Sequence, residues 1–211
     1  MKVVGITVGA VQENTYLVVN EDTNEAVLID PGEEAERIQA AAVELDVTIS
    51  AILITHCHFD HIGAVAPMAH STGAEVWVPR IEHPILSDIM SFVPWEGFGP
   101  YESYEAEHDL VGGERLELAG FEIDVLFTPG HSPGHVTYSF ADDKAIFSGD
   151  VLFAGSIGRA DLPGADMMTL MASINRLIET LPGDTTVYPG HMQPTTLDQE
   201  RTTNPFLHQL R

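Results

Sequence analysis

The stretch Ala51-Ile52-Leu53-Ile54-Thr55-His56-Cys57-His58-Phe59-Asp60-His61 passes without interruption from an apolar run into four side chains that can bind a metal. The run 51–54 has the length and branching of a buried strand. The four donors His56, His58, Asp60 and His61 fall within six positions immediately after it. Packing has no use for such a group, because imidazoles and a carboxylate gathered on one strand-end loop are neutralised best by a cation. A strand that delivers metal ligands at its end places the chain among α/β folds that carry chemistry on loops at one end of a sheet.

Working outward, further short runs at 3–8, 16–19, 26–29 and 75–78 read as strands separated by turn residues. Between two of them, 33–45 carries Ala35, Ile38, Ala41, Ala42 and Leu45 at helical spacing, and Pro31-Gly32 forms the turn before it. The second half repeats this order, with strands expected at 115–118, 121–127, 136–140, 144–147 and 186–188. A helix is expected at 167–181, with Asp166 as its N-cap and Leu170, Met171, Ile174, Leu177, Ile178 and Leu181 as its buried stripe. Two halves of this kind predict an α/β fold in which two sheets pack face to face with helices outside, a four-layered αββα sandwich. Residues 1–211 are expected to form one domain. The segment 80–110 is less regular and holds Phe92, Trp95, Phe98, Tyr101 and Tyr104, which suit either the apolar wall or lid of a pocket or a loop tucked into the local core.

Composition narrows the partners. With 44% hydrophobic and 19% charged residues the chain is expected to be a soluble globular protein, and no apolar run approaches the ~20 residues of a membrane span. Against 32 Asp and Glu stand 9 Lys and Arg, a net charge of -23 that repels phosphate backbones and anionic lipid surfaces. Nucleic acid and membranes are therefore not expected partners. Cys57 is the only cysteine and the amino-terminal residues lack a signal-peptide pattern, so a cytoplasmic location is the expectation.

Three more candidates each follow an expected strand: His131 in Thr-Pro-Gly-His, Asp150 in Ser-Gly-Asp and His191 in Tyr-Pro-Gly-His. With the first loop they make five His and two Asp, more than one tetrahedral ion takes and enough for two if one carboxylate bridges. His135 lies in the same turn as His131 and is expected to support the ligands or lie on the surface. His70, His83, His108 and His208 have no motif around them. Cys57 is expected to point away from the metals, and Arg159 and Asp161 to brace the loop after Asp150.

The motifs His56-x-His58-x-Asp60-His61, Gln12-Glu13-Asn14-Thr15-Tyr16, Ile29-Asp30-Pro31-Gly32, Thr128-Pro129-Gly130-His131-Ser132-Pro133-Gly134-His135, Ser148-Gly149-Asp150 and Gly155-Ser156-Ile157-Gly158-Arg159-Ala160-Asp161 together resemble the metallo-β-lactamase superfold. Within it they are similar to the glyoxalase II-like thioester hydrolases, and Pro194-Thr195-Thr196 and Glu200-Arg201-Thr202-Thr203-Asn204-Pro205-Phe206-Leu207 are similar to the tail of short, single-domain members of that group. The resemblance implies that His56, His58 and His131 hold one metal, that Asp60, His61 and His191 hold the other, and that Asp150 bridges them. The implied cofactors are two divalent metal ions, zinc first, with iron or manganese as alternatives. The implied activity is hydrolysis of a small-molecule thioester by a hydroxide between the metals, with Asp60 and Asp150 as the catalytic carboxylates.

Two departures matter. Glyoxalase II enzymes continue into a helical domain that supplies basic residues for glutathione, whereas here Lys2 and Lys144 are the only lysines and Arg201 and Arg211 the only basic residues after Arg176. A smaller or less anionic thioester, or a conjugate of another thiol, suits this charge balance better. A persulfide dioxygenase with one iron held by two histidines and an aspartate, or a lactonase, are alternatives on the same fold. A metal-stabilised binding protein without turnover would be expected to show a broken ligand set, and a nuclease a basic surface.

Overall fold

The computed structural model describes residues 1–93 and 95–207, so His208 and Arg211 lie outside the described residues. The chain opens with strands β1 (Lys2–Val8), β2 (Glu13–Asn20) and β3 (Glu25–Ile29), helix α1 (Ala35–Glu44) and strand β4 (Thr48–Leu53). Helices α2 (Phe59–Ile62) and α3 (Val65–Thr72) lead to β5 (Glu75–Pro79), and α4 (His83–Leu86) and α5 (Ile89–Phe92) precede β6 (His108–Leu110). The second half carries β7 (Arg115–Leu118), β8 (Phe121–Phe127), β9 (Val136–Phe140), β10 (Ala145–Gly149) and a small hairpin of β11 (Leu152–Phe153) and β12 (Ser156–Ile157). Helix α6 (Met167–Thr180), β13 (Thr186–Pro189), β14 (Thr195–Thr196) and α7 (Leu197–Thr203) complete it.

Strand alternation explains the layers. Leu17 and Val19 of β2, Ala26 and Leu28 of β3 and Ile52 of β4 turn to one face and pack with Ile38 and Ala42 of α1 and Val65 and Met68 of α3. Their neighbours Tyr16, Val18, Val27, Ile29, Ala51 and Leu53 turn to the other face and meet Ile123, Val125, Tyr138, Phe140 and Phe147 of the second sheet. Ile146 of β10 and Val187 of β13 point the opposite way, into a third core with Leu170, Ile174 and Leu177 of α6. Both faces of both sheets are thus covered, which is the expected four-layered αββα arrangement of an α/β fold.

The first sheet runs in the order β1-β2-β3-β4-β5-β6 and the second β14-β13-β10-β9-β8-β7. In the first, β3, β4 and β5 are parallel. In the second, β8 and β10 are each antiparallel to β9, and β10 is parallel to β13. The carboxyl ends of β8, β10 and β13 therefore lie at one edge, as do those of β3 and β4. Val136 donates its N–H to the Thr55 carbonyl at 2.9 Å and Asn14 to the Gly190 carbonyl at 2.7 Å, joining the two edges into one rim.

Helix α1 starts later than the 33–45 pattern because Glu34 adopts a left-handed backbone, φ 55°, where its carboxylate accepts from the Gly9 N–H. Asp166 caps α6 as expected, accepting from the Thr169 N–H at 2.7 Å. The helix stops at Thr180 because Leu181 is extended ahead of Pro182. Helices α3 and α7 and strand β6 add to the expected elements. Replacing the fully buried Ile174 with Ala is expected to lower the unfolding free energy of the metal-free protein by about 2–5 kcal/mol in urea denaturation. The exposed Val43→Ala is expected to stay within about 0.5 kcal/mol of the parent.

Candidate metal centre

Each expected donor emerges from a strand end on the common rim. His56, His58, Asp60 and His61 follow β4, and His131, Asp150 and His191 follow β8, β10 and β13. Asp150 is reached through Gly149, whose φ of 46° lets the backbone turn sharply, and a side chain at Gly149 would strike the Thr55 hydroxyl and the His135 ring. Gly190 similarly leaves no room for a Cβ beside Asp150 and the His61 ring.

The seven donors form two groups that meet at Asp150. In the first, His58 Nδ1 lies 3.0 Å from His56 Nε2 and 2.8 Å from His131 Nε2. In the second, His191 Nε2 lies 3.4 Å and His61 Nε2 3.8 Å from Asp60 Oδ2. Asp150 Oδ1 faces His61 Nε2 at 3.5 Å, while Oδ2 faces His131 Nε2 at 3.5 Å and His191 Nε2 at 3.6 Å. His56, His58 and His131, and separately Asp60, His61 and His191, each bring one donor atom apiece to within 4.8 Å of the others.

Outward hydrogen bonds decide which ring atoms face inward. His61 Nδ1 donates to Asp30 Oδ2 at 3.0 Å, His131 Nδ1 to the Arg159 carbonyl at 2.8 Å and His191 Nδ1 to the Gln12 carbonyl at 3.2 Å. His56 Nδ1 donates to the Thr55 hydroxyl at 3.1 Å, and that hydroxyl donates to Asp30 Oδ2 at 2.5 Å. With Nδ1 donating outward, the Nε2 atoms of these four rings point at one another's space. His61 Nε2 and Asp150 Oδ1 are buried with no hydrogen-bond partner among the described residues. Converging lone pairs, orphaned acceptors and a carboxylate shared between two nitrogen groups suit two divalent cations of the zinc, iron or manganese kind.

The charges agree with this. Burial alone would lower His61, yet the carboxylates of Asp150 and Asp60 raise it well above the ordinary imidazole range. Burial pushes His58 down to about 4, with the neighbouring His131 adding to the shift. Asp150 resists burial because His61, His131 and His191 hold its carboxyl well below the usual carboxylate range.

His135 is buried, away from the surface. It accepts the Asp150 N–H on Nε2 at 3.1 Å, is anchored by the Thr128 hydroxyl and stacks on the His56 ring. Arg159 and Asp161 pair at 2.8 Å, and the Cys57 thiol is buried in the first core, where burial pushes it well up and out of use as a nucleophile. His70, His83 and His108 sit in pairs with Glu102, Asp109 and Glu75.

Three buried carboxylates had no expected role. Glu82 accepts from the Cys57 N–H at 3.2 Å and from the Gly134 N–H at 2.7 Å, tying the two histidine loops together. Glu13, raised by burial well above its ordinary value, accepts from the Thr15 hydroxyl at 3.0 Å, and that hydroxyl also lies 2.8 Å from the Asp30 carbonyl. Glu200 accepts from the Gly155 N–H at 2.8 Å, so the tail motif steadies the hairpin after Asp150. A cleft of about 550 Å³ opens over the cluster, and Phe92 and Trp95 from the irregular segment line it. Phe98, Tyr101 and Tyr104 instead pack on the first core, so both readings of 80–110 hold for different residues.

The family model of the metallo-beta-lactamase superfamily matches residues 8–191. The hydroxyacylglutathione hydrolase GloC of Haemophilus influenzae is 37% identical over 210 residues, covering 96% of each chain. Among solved structures, the BLEG-1 B3 metallo-beta-lactamase superposes with a TM-score of 0.92 at 40% identity, covering 98% of this chain and 99% of its own. The protein TTHA1623 in a di-iron-bound form superposes at 0.88 with 42% identity, covering 97% of this chain and 100% of its own. No helix among the described residues is long and apolar enough to cross a membrane.

Metal uptake should follow from this geometry. Adding zinc to stripped protein is expected to release protons, because a cation takes the place of the His61 proton, and apparent affinity is expected to fall as pH drops from about 8 to about 6. Asp30→Asn, which disturbs three donors at once, is expected to weaken zinc binding about 10–100-fold in competition with a chromophoric chelator.

Proposed function

As the chain belongs to the metallo-beta-lactamase superfamily, we propose that it is a thioester hydrolase working with two divalent metal ions. His56, His58 and His131 would hold one ion, Asp60, His61 and His191 the other, and Asp150 would serve both. The observation that carries this reading is that the Asp150 carboxylate meets both donor groups, with Oδ2 facing His131 of the first and His191 of the second and Oδ1 facing His61 of the second. The di-iron form of TTHA1623 and the name of the GloC relative support it from outside the chain.

Ions in these positions supply Lewis acidity that lowers the pKa of water and polarises a carbonyl. The chain's own part is placement. His135 and the Gly149 turn fix the backbone of Asp150, so its carboxylate enters from the floor of the cleft. Asp60, 14% exposed at its side chain, offers the cleft an acceptor for a proton of a substrate or water molecule, while His191 holds its other side. A thiol with a pKa of about 8.5 departs as thiolate, so the leaving group needs no proton donor. The Cys57 thiol, its pKa pushed well up by burial, leaves no candidate for a protein nucleophile in that loop.

Asp60, His61 and His191 around Asp150 could hold a second ion, and metal count together with oxygen uptake separates the hydrolase from the single-iron dioxygenase. The metal-loaded protein is expected to cleave S-lactoylglutathione or a simpler acyl thioester and to consume no oxygen with glutathione persulfide. Asp150→Ala is expected to lower kcat/KM more than about 100-fold, beyond the effect of losing a supporting hydrogen bond. Oxygen uptake without thioester cleavage would refute the hydrolase.

A further inference from the structure

The cleft that reaches the donor cluster has the donors at its floor and, besides Ser156 and Arg159, mostly apolar side chains around them. Its walls are apolar on both sides: Ile85, Ile89, Phe92 and Trp95 from the segment between β5 and β6, and Phe153 and Leu162 from the loop after Asp150. Phe59, between His58 and Asp60, lies edge-on to Trp95 at 5.8 Å and 4.9 Å from Phe98, so the aromatic wall is built onto the ligand loop itself. Phe92 and Trp95 remain 53% and 48% exposed, large apolar surface at the mouth of the cleft. Arg159 is the one Lys or Arg among the described lining residues, and its guanidinium is already held by Asp161 at 2.8 and 2.9 Å. Among the described lining residues an anionic substrate would meet no unpaired Lys or Arg, on a chain of net charge -23.

Resting on the thioester reading above, we propose that this cleft selects thioesters with an uncharged, apolar acyl chain or ring, and that the anionic glutathione conjugate is a poor substrate. The scissile carbonyl lies over the donors while the apolar acyl group lies between Trp95 and Phe153. A volume of about 550 Å³ is that of a site for an extended small molecule. Each methylene fully buried there is worth about fourfold in binding.

The test compares acetyl, butanoyl and hexanoyl thioesters of the uncharged thiol N-acetylcysteamine with S-lactoylglutathione, on protein loaded with zinc. We expect kcat/KM to rise at least about tenfold from acetyl to hexanoyl and to exceed that for S-lactoylglutathione, and Trp95→Ala to reduce the hexanoyl-to-acetyl ratio several-fold. The acetyl thioester of hexanethiol separates the two ends of the substrate: equal gain there would move the apolar group to the thiol side and overturn the acyl assignment. A flat ratio, or S-lactoylglutathione as the best substrate, would overturn the inference and leave the hydrolase standing. If no thioester is cleaved, the hydrolase reading fails, and titration with S-hexyl-N-acetylcysteamine, a thioether, decides the cleft. Saturable quenching of tryptophan fluorescence that disappears in Trp95→Phe, which keeps Trp77, supports an apolar site; no quenching overturns it.

Discussion

Asp150 is buried with both carboxylate oxygens facing imidazole nitrogens at 3.5–3.6 Å, and none of those imidazoles can turn away, because each donates its other nitrogen outward. Collecting charge and lone pairs in this way where little water reaches is costly unless cations complete the set. The rest of the molecule answers that constraint. Parallel strand ends deliver donors from both sheets to one rim, glycine takes the places where a side chain would fill the centre, and a layer of carboxylates and carbonyls holds the rings from behind. The second layer is as buried as the first: Asp30 gathers the Thr55 backbone, the Thr55 hydroxyl and His61 while itself holding a left-handed backbone of φ 46°.

The two sheets have different duties at the rim. The first contributes a single dense loop after β4, held by Glu82 to the loop after β8. The second contributes one donor from each of three strands, and Tyr138 of β9 reaches across to donate to the Ile54 carbonyl just before the dense loop. Packing between the sheets is therefore what brings the donor groups into register. The helical layers stand behind this junction, apart from α2, whose first turn carries Asp60 and His61.

Much of this was legible in the sequence because local pattern encodes it. The continuous apolar runs 16–19, 26–29 and 51–54 mark strands buried on both faces, and the seven donors stand out because each follows a strand and four share one loop. The resemblance assigned donors to groups, whereas their spatial meeting, with His56, His58 and His131 in one set and Asp60, His61 and His191 in another, is a product of the fold. Other features have no local signature. Glu82 acts on Cys57 and Gly134, 25 and 52 residues away, and one acidic residue among 32 Asp and Glu announces nothing. Glu13 and Asp30 sit in quoted motifs, but their roles arise from a three-dimensional meeting with His61. The irregular segment 80–110 divides into a cleft wall and a core plug, which only long-range packing decides.

Whether one carboxylate serves two metal ions is decided by titrating the metal-stripped protein with cobalt(II) under both optical and electron paramagnetic resonance observation. The expected outcome is saturation at two ions per chain, with the spin signal of the first ion quenched as the second couples to it through Asp150. Saturation at one ion per chain, with an uncoupled signal throughout, would contradict a shared carboxylate.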